Sequence, residues 1–465
     1  MKRLAAFASV LALAGCTVGP DYHLPDQAAI NRPASKGALS GTGGLTAADP
    51  LPARWWALYD DPVLARLEEQ ALAANTELRV AGANLARSAA MVRAVQGAGD
   101  PQLAVDAAVQ RARISGESFL KFETIPVATL GEGGAELSYQ VDLFGQIKRR
   151  VEEARADHEA TEALVEVVQV SVAAEVARAY VAVCGGNEAL DLAEEAVAAQ
   201  ERMADATRRL HAAGKIGAVE VTRAEAALLD TQAQLPAAHA RVQAELYRLA
   251  FLTGRAPAEY PREAEQCHAV PQLARPLPVG DAAMLLARRP DVRAAERLLA
   301  ASSAATNVAR ADLYPHVGIG LGGGTTGLVG DLLTAMSGRW AFGGMISWAF
   351  PSRTARAKVA AGKAGEQRAL ADFDGTVLRA LRETETALTW YRENHNRAVT
   401  LGEARAQAEL LAAQQRRLHQ AGKADLQADL GGQARLIEAR DRERTARDAV
   451  AQSQVDLFLA LGGGW

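Results

Sequence analysis

Few residues in this chain have types and spacing that could support catalysis or cofactor binding. Gly318, Gly320 and Gly323 satisfy the GxGxxG pattern of dinucleotide-binding loops, but no helix opens on them and no acidic partner follows at the required distance. The eight histidines are scattered, and no Ser/His/Asp or Cys/His set indicates a nucleophile with its base. The sequence therefore predicts no catalytic residues, no metal ligands and no bound cofactor.

The cysteine with a clear chemical expectation is Cys16. Lys2 and Arg3 precede an apolar run over residues 4–13, and Leu13-Ala14-Gly15-Cys16 follows. This pattern is typical of a secretory signal peptide, here residues 1–15, because the run is far shorter than the roughly 20 apolar residues that span a bilayer. The tetrapeptide resembles the bacterial lipoprotein box, which implies cleavage before Cys16 and a covalent lipid, such as palmitate, on it. A plain signal peptide with an incidental cysteine is the alternative, and Thr17, where an aspartate would imply inner-membrane retention, points to the outer membrane.

Cys184 and Cys267 show no metal-binding spacing and predict no disulfide framework. Cys184, among Ala and Val residues, is expected to be a small buried residue. The net charge of −4 is near balance, which gives no indication of a nucleic-acid partner.

Charged side chains next to a repeated turn are the candidates for a gate. Residues 208–215 read RRLHAAGK and residues 416–423 read RRLHQAGK, 208 positions further on. His211 and His419 occupy the same place in the two copies, where helix-end packing is their expected role. Each glycine after a long helical pattern suits a left-handed cap, so each copy marks the tip of a hairpin. The charges that follow are Glu220, Arg223 and Glu225 in the first copy, and Asp425, Asp429 and Arg435 in the second.

In a symmetric oligomer each of these side chains becomes a ring, and repulsion within the ring or pairing with Arg can set a closed state. The alternative is that they are solvated charges on the faces of helices.

The elements that carry these residues are written twice. A second pair of segments, residues 75–101 and 289–315, aligns at an offset of 214, and self-similarity of this kind fixes the architecture. We therefore expect a first repeat over residues 55–254, a connector with five prolines over 255–280, and a second repeat over 281–465. Residues 16–54, rich in Pro, Gly, Ser and Thr, are expected to be a lipidated tether.

Helical periodicity dominates both repeats. We expect helices over residues 61–98 and 146–212, the latter returning to about residue 254, and over 281–312, 356–420 and 424–461. The longest carries an apolar stripe that includes Val172, Val176 and Tyr180, and Gly185-Gly186 suggests a local break in it. At 1.5 Å per residue such helices reach roughly 60–100 Å and must find partner helices, which predicts a helical tube.

Between the short and long helices of each repeat lie alternating patterns of membrane-crossing length. They predict strand pairs within residues 103–142 and 317–350. Trp340 and Trp348, at opposite ends of one pattern, suit interfacial aromatic girdles. A soluble antiparallel hairpin is the alternative for any single pair. Four strands cannot close a barrel, so in lipid their edges must be met by other copies of the chain.

Several segments resemble the TolC-like outer-membrane efflux factors, in the lipoprotein (NodT-like) branch that serves RND-type pumps. They are Cys16-Thr-Val-Gly-Pro-Asp-Tyr22, Trp55-Trp56 with Asp61-Pro62, Ser138-Tyr-Gln-Val-Asp-Leu-Phe-Gly145, Arg289-Pro-Asp-Val-Arg-Ala-Ala-Glu296, Ala309-Arg-Ala-Asp-Leu-Tyr-Pro315, Ser347-Trp-Ala-Phe-Pro-Ser352 and Leu461-Gly-Gly-Gly-Trp465. The likeness implies a mainly α protein with a membrane β-barrel: a homotrimer with four transmembrane strands per protomer, twelve in all. It also implies duplicated helical hairpins that form a periplasmic α-barrel. One departure is Gly431-Gly432, where the family often carries an acidic residue.

The resemblance implies a lipid-anchored outer-membrane exit duct that accepts small toxic compounds from a periplasmic adaptor and an RND-type inner-membrane pump. A type I secretion duct is one alternative. A periplasmic adaptor lipoprotein would carry one hairpin flanked by lipoyl-like β segments. A lipid-anchored enzyme would need a convergent polar site, which the sequence does not show.

Overall fold

The computed structural model describes residues 17–39, 46–47, 51–113, 115, 124–273 and 275–463. Cys16 and the expected signal peptide lie outside the described residues. The helices are α1 Pro62–Ala74, α2 Thr76–Gly97, α3 Gln146–Ala212, α4 Ala218–Gln232, α5 Gln234–Leu252, α6 Arg262–Glu265, α7 Ala282–Arg288, α8 Pro290–Ala311, α9 Arg353–Gln420 and α10 Leu426–Ala460. The strands are β1 Thr46–Ala47, β2 Gln102–Ala112, β3 Ala128–Val141, β4 Leu277–Pro278, β5 His316–Leu328 and β6 Gly338–Ser347.

The chain forms two compact units. The strand unit comprises the described residues up to Pro25, Asn84–Thr161 and Ala294–Phe373; the helix unit comprises Asp26–Ala83, Glu162–Arg293 and the described residues from Asp374. The strand unit contains the antiparallel sheet β2-β3-β5-β6. The helix unit contains the short parallel pair β1-β4, which joins the N-terminal segment to the connector.

The structure shows the duplication element by element. Helix α3 has 67 residues and α9 has 68, and both end at the repeated tip. Helix α4 begins at Ala218 and α5 ends at Leu252, and α10 begins and ends at the same places 208 positions later. The first returning helix is split at Ala233, three residues before Pro236, whose missing N–H interrupts the helical ladder. Arg444 occupies the equivalent position in α10, which is continuous.

The same hydrogen bond closes each half with a different side chain. Asn75 Nδ2 donates to the carbonyl of Leu252 at 3.0 Å, and Arg289 Nη1 donates to the carbonyl of Ala460 at 2.7 Å. These carbonyls belong to the last helical residues, which lack partners within their helices. The Arg-Pro-Asp motif therefore has a structural role at the end of α10.

The helix unit has one large hydrophobic core. The predicted stripe on α3 is confirmed, since Val172, Val176 and Tyr180 are buried in it. Trp55 stacks on Phe458 with ring centroids 4.3 Å apart. Helix α3 is long and apolar enough to cross a membrane by length and composition, but most of its apolar window is buried in the protein, as expected for a core helix.

Gly185 and Gly186 do not break α3, contrary to the sequence interpretation, because the helix runs through them. They permit close packing instead: a Cβ on Gly186 would lie 2.8 Å from Val242 Cγ2 on α5, and one on Gly185 would lie 2.6 Å from Asp448 Oδ1 on α10.

Cys184 is buried, as predicted, but the expectation that the cysteines form no disulfide was wrong. Cys184 and Cys267 form a disulfide, with their Cα atoms 4.8 Å apart. The connector folds back onto α3 here, since Asn187 Nδ2 donates to the carbonyls of Glu265 and Cys267. Residues 83 positions apart in sequence meet only through this tertiary contact, which their spacing could not reveal.

The described part of the N-terminal segment packs against the protein, so it is not a free tether. In the strand unit, Arg149 donates to Gly19 O at 2.8 Å and to Asp21 Oδ1 at 2.9 Å, and Asn307 Nδ2 donates to Pro20 O at 2.9 Å. In the helix unit, the backbone N–H of Ala29 donates to Asp374 Oδ1 at 2.7 Å. The composition of this segment predicted a tether. In the structure, its backbone carbonyls at Gly19 and Pro20 and the carboxylate of Asp21 make specific hydrogen bonds instead.

A buried carboxyl group in α1 gives the first prediction. Glu68 is fully buried, and neither of its carboxyl oxygens has a hydrogen-bond partner. Burial raises the pKa of Glu68 well above its usual value, so the folded protein holds it protonated. A raised pKa contributes stability that is fully present below the unfolded pKa, about 4.5, and is lost as pH rises through the folded pKa.

We expect Glu68→Leu to raise the free energy of unfolding by about 1–3 kcal/mol at pH 8, with a smaller gain at pH 4. Thermal unfolding followed by circular dichroism between pH 4 and 8 measures this. The matched control is Glu69→Leu, because Glu69 is exposed and pairs with Arg54. Equal effects of the two substitutions would contradict the assignment.

Candidate channel wall and gate residues

Cross-strand register sorts the residues of the large sheet onto two faces. Leu103 pairs with Leu137, Leu137 with Leu321, and Leu321 with Phe342, so these four side chains share one face. The same face carries the exposed apolar residues Val105, Val109, Tyr139, Ile319, Trp340 and Ile346. An exposed apolar face of this extent is typical of contact with lipid or another protein.

The opposite face is polar and rich in glycine. Asp106 pairs with Gly134, Gly134 with Gly324, and Gly324 with Arg339. Glu132 and Glu136 also lie on this face, and Gly318, Gly320 and Gly322 form a row along β5. Of the three glycines of the GxGxxG pattern, Gly318 and Gly320 therefore lie on the polar face, where side chains of neighbouring strands can extend over β5, and Gly323 lies on the apolar face opposite Trp340. The sequence analysis missed Asp106, Glu136 and Arg339, although strand alternation was the signal that could have found them.

Strands β2 and β6 form the two sides of this sheet. Each is paired with a single neighbouring strand among the described residues. The outer N–H and C=O groups of both strands are thus available for pairing with another chain.

The two candidate interface tryptophans lie near opposite ends of β6. Trp340 is the third residue of the strand, opposite Gly323, and is 82% exposed. Trp348 follows the last residue of the strand, and its Nε1 donates to Leu313 O at 3.1 Å. Their role at membrane interfaces stays a prediction.

Both hairpin tips have the same hydrogen-bonded turn. Gly214 and Gly422 have positive φ angles of 67° and 68°. Lys215 N donates to Leu210 O and Lys423 N to Leu418 O, which is the Schellman pattern. The repeated histidines close the turn, since Nδ1 lies 3.0 Å from Ile216 O in His211 and 3.2 Å from Ala424 O in His419.

The charges predicted at the first tip are paired locally. Arg223 Nη1 donates to both carboxylate oxygens of Glu220, at 2.8 and 2.9 Å. Arg208 on α3 pairs with Glu225 on α4 at 3.5 Å. These are exposed ion pairs, each of which contributes little to stability.

The predicted charges at the second tip have a different arrangement. Asp425 caps α10 by accepting from Ala428 N at 2.7 Å, and Asp429 is buried and accepts from Gln433 Nε2 at 3.1 Å. Arg435 is exposed and lies six residues after Asp429 in α10. Gly432 brings α10 against α9, because a Cβ there would lie 1.9 Å from Gln415 Oε1. Gly432 therefore gives a close helix contact, whereas a Cβ on Gly431 would meet no atom within 4 Å.

Repeated long hairpins, together with a sheet that has one exposed apolar side and two open edges, are typical of a channel-forming protein of the outer membrane. The chain belongs to the outer membrane efflux protein family, whose profile matches residues 67–255 and 282–463.

Similar proteins cover nearly the whole chain. It is 30% identical to the fusaric acid resistance protein FusA of Burkholderia cepacia, over 99% of this chain and 88% of that protein. It is 27% identical to the probable efflux pump outer membrane protein TtgC of Pseudomonas putida, over 97% and 93%. The outer-membrane channel OprN has the same fold, with a TM-score of 0.86, 31% identity, and coverage of 97% of this chain and 100% of that one. The Campylobacter jejuni channel CmeC shares the fold at 19% identity, with a TM-score of 0.84 and coverage of 97% and 95%.

The cap at the second tip generates a prediction. Asp425→Ala removes the side-chain acceptor for Ala428 N, which should destabilise the first turn of α10 by about 1 kcal/mol. Hydrogen exchange of the amides at 426–430 should become several-fold faster. Asp425→Asn keeps a side-chain acceptor at the same position and is the control that should leave exchange at 426–430 nearly unchanged. Unaltered exchange in Asp425→Ala would contradict the capping role of Asp425.

Proposed function

We propose that this protein is the outer-membrane exit channel of a tripartite efflux system, working as a homotrimer with a periplasmic adaptor and an RND-type inner-membrane pump. Small toxic compounds would pass through it passively, with the energy supplied by the pump. The names of FusA and TtgC support export of such compounds by similar proteins. One observation carries the proposal: the sheet has an exposed apolar face and two edges, the outer sides of β2 and β6, that no described strand pairs with. Such a face fits a lipid environment, where unpaired edges are too costly to leave open.

Pairing β6 of one copy with β2 of the next removes both edges. Three copies give twelve strands, enough to close a barrel, whereas the four strands of one copy are too few. The polar face with Asp106, Glu136 and Arg339 then lines the pore. The acids at the hairpin tips become rings at the periplasmic entrance, where they are candidates for setting the closed state.

A pair of neighbouring residues on β6 tests the membrane assignment. Phe342 lies on the apolar face and Ala341 on the polar face. Phe342→Arg puts a charge in lipid at a cost of about 2–4 kcal/mol per copy near the midplane, whereas Ala341→Arg puts it in water. We expect Phe342→Arg to abolish assembly of conducting trimers in outer membranes, and Ala341→Arg to retain them.

The measurements are the trimer band on native gels and single-channel conductance in planar bilayers. A wild-type protein that is monomeric and does not conduct would overturn the proposed function. Equal tolerance of the two substitutions would overturn the assignment of the faces.

Lipidation of Cys16 is a further part of the proposal. It is supported by the Leu-Ala-Gly-Cys sequence and by the contacts that hold residues 19–21 in the strand unit. We expect cells grown with labelled palmitate to label the wild type and not Cys16→Ser. Cys267→Ser serves as the control for loss of a cysteine and should keep the label. Label retained in Cys16→Ser would contradict the assignment.

A further inference from the structure

Helices α3 and α10 of the helix unit are in close contact at Gly185, and this contact contains an ionisable group. Asp448 on α10 places its Oδ1 against Gly185, where a Cβ would be only 2.6 Å away. Arg444, one turn before Asp448, donates from Nη1 to the carbonyl of Gly185 at 3.2 Å and also to Asp448 Oδ2. One arginine thus joins the carboxylate to the backbone of the facing helix.

The surroundings of Asp448 disfavour its charged form. Its Oδ1 is buried and has no hydrogen-bond partner. A cavity of about 420 Å³ lies beside it and gives water a route to the carboxyl group. The charged groups facing Asp448 are Arg444, Arg447 and Asp441 on α10, Glu188 on α3, and Arg241 and Glu245 on α5.

Burial raises the pKa of Asp448 to about 6, with Glu188 and Asp441 acting in the same direction and Arg444 and Arg447 opposing them. Because the pKa of Asp448 is raised in the packed state, the packing of α10 on α3 is strongest when Asp448 is protonated. The packing weakens as pH rises from about 4 through 6. When Asp448 is protonated, Arg444 keeps its two bonds to Asp441, at 2.9 and 3.1 Å, and its bond to Gly185.

We propose that Asp448 is a proton-operated latch between α10 and α3. Protonation strengthens the contact at Gly185, and ionisation loosens the returning helix of the second hairpin and favours opening of the channel. This rests on the proposed channel function for its effect on opening, although the latch itself is a property of the two helices. The first hairpin has no equivalent, because Pro236 and Ala240 occupy the positions of Arg444 and Asp448.

Hydrogen exchange in the detergent-solubilised full-length protein tests the latch directly. After correction for intrinsic rates, amides near residues 183–189 and 444–450 should exchange faster at pH 7.5 than at pH 5, by up to about ten-fold, because the full effect of the pKa difference develops only from below pH 4 to above pH 6. Asp448→Asn imitates the protonated carboxyl and should show slow exchange at both pH values. Asp441→Asn leaves Asp448 in place and should keep a pH dependence, with its transition at lower pH because Asp441 also raises the pKa of Asp448.

Glu188→Gln provides a second variant should Asp448→Asn fold poorly. Removing the neighbouring negative charge should move the exchange transition to lower pH. Persistence of the wild-type pH dependence in Asp448→Asn, or an unshifted transition in Glu188→Gln, would overturn the latch.

Conductance separates the latch from the channel. In bilayers the open probability of the wild type should rise between pH 5 and 7.5, and that of Asp448→Asn should stay at the low value. If the exchange pattern is as expected but the protein does not conduct, the latch is supported and the proposed channel function is contradicted. If the protein conducts but its exchange is independent of pH, the channel function is supported and the latch is contradicted.

Discussion

A backbone amide in lipid has no water to bond, and this constraint governs the strand unit. Strands β2, β3, β5 and β6 satisfy one another along three interfaces, which leaves one row of polar groups on each outer side. Their exposed apolar face is typical of contact with lipid or another protein. In the proposed trimer, β6 of one copy would pair with β2 of the next, because these are the two outer strands of the same sheet.

Duplication gives the two halves equal helix ends and different interiors. Asn75 donates to the carbonyl of the last residue of α5, and Arg289 donates to the carbonyl of the last residue of α10. Both halves therefore supply a hydrogen-bond donor at this place, from different side chains. Pro236 splits the first returning helix, whereas Arg444 at the equivalent position ties the second to α3. The halves thus share a frame and differ in how firmly the returning helix is held.

Much of the fold could be predicted from the sequence because its determinants are local. Helical periodicity predicted α3 over the residues that the structure assigns to it, and alternation predicted the strands and their apolar side. What could not be predicted depends on contacts between distant segments. Three contacts form only once the chain has folded and distant segments lie side by side. They are the disulfide between Cys184 and Cys267, the contact of the Asp448 carboxylate with Gly185, and the contact of Gly432 with Gln415. A glycine pair in a helix has the same sequence signature whether it breaks the helix or admits a neighbour.

The disulfide encloses the tip of the first hairpin, since Cys184 lies before the turn at Gly214 and Cys267 lies after it. A protease that cut the exposed turn there would leave two polypeptides still joined by a covalent link. The nicked molecule would migrate as one species until a reductant was added, and its assembly could survive the cut. This exposed turn of the first repeat is therefore one whose cleavage leaves the two parts of the chain covalently joined.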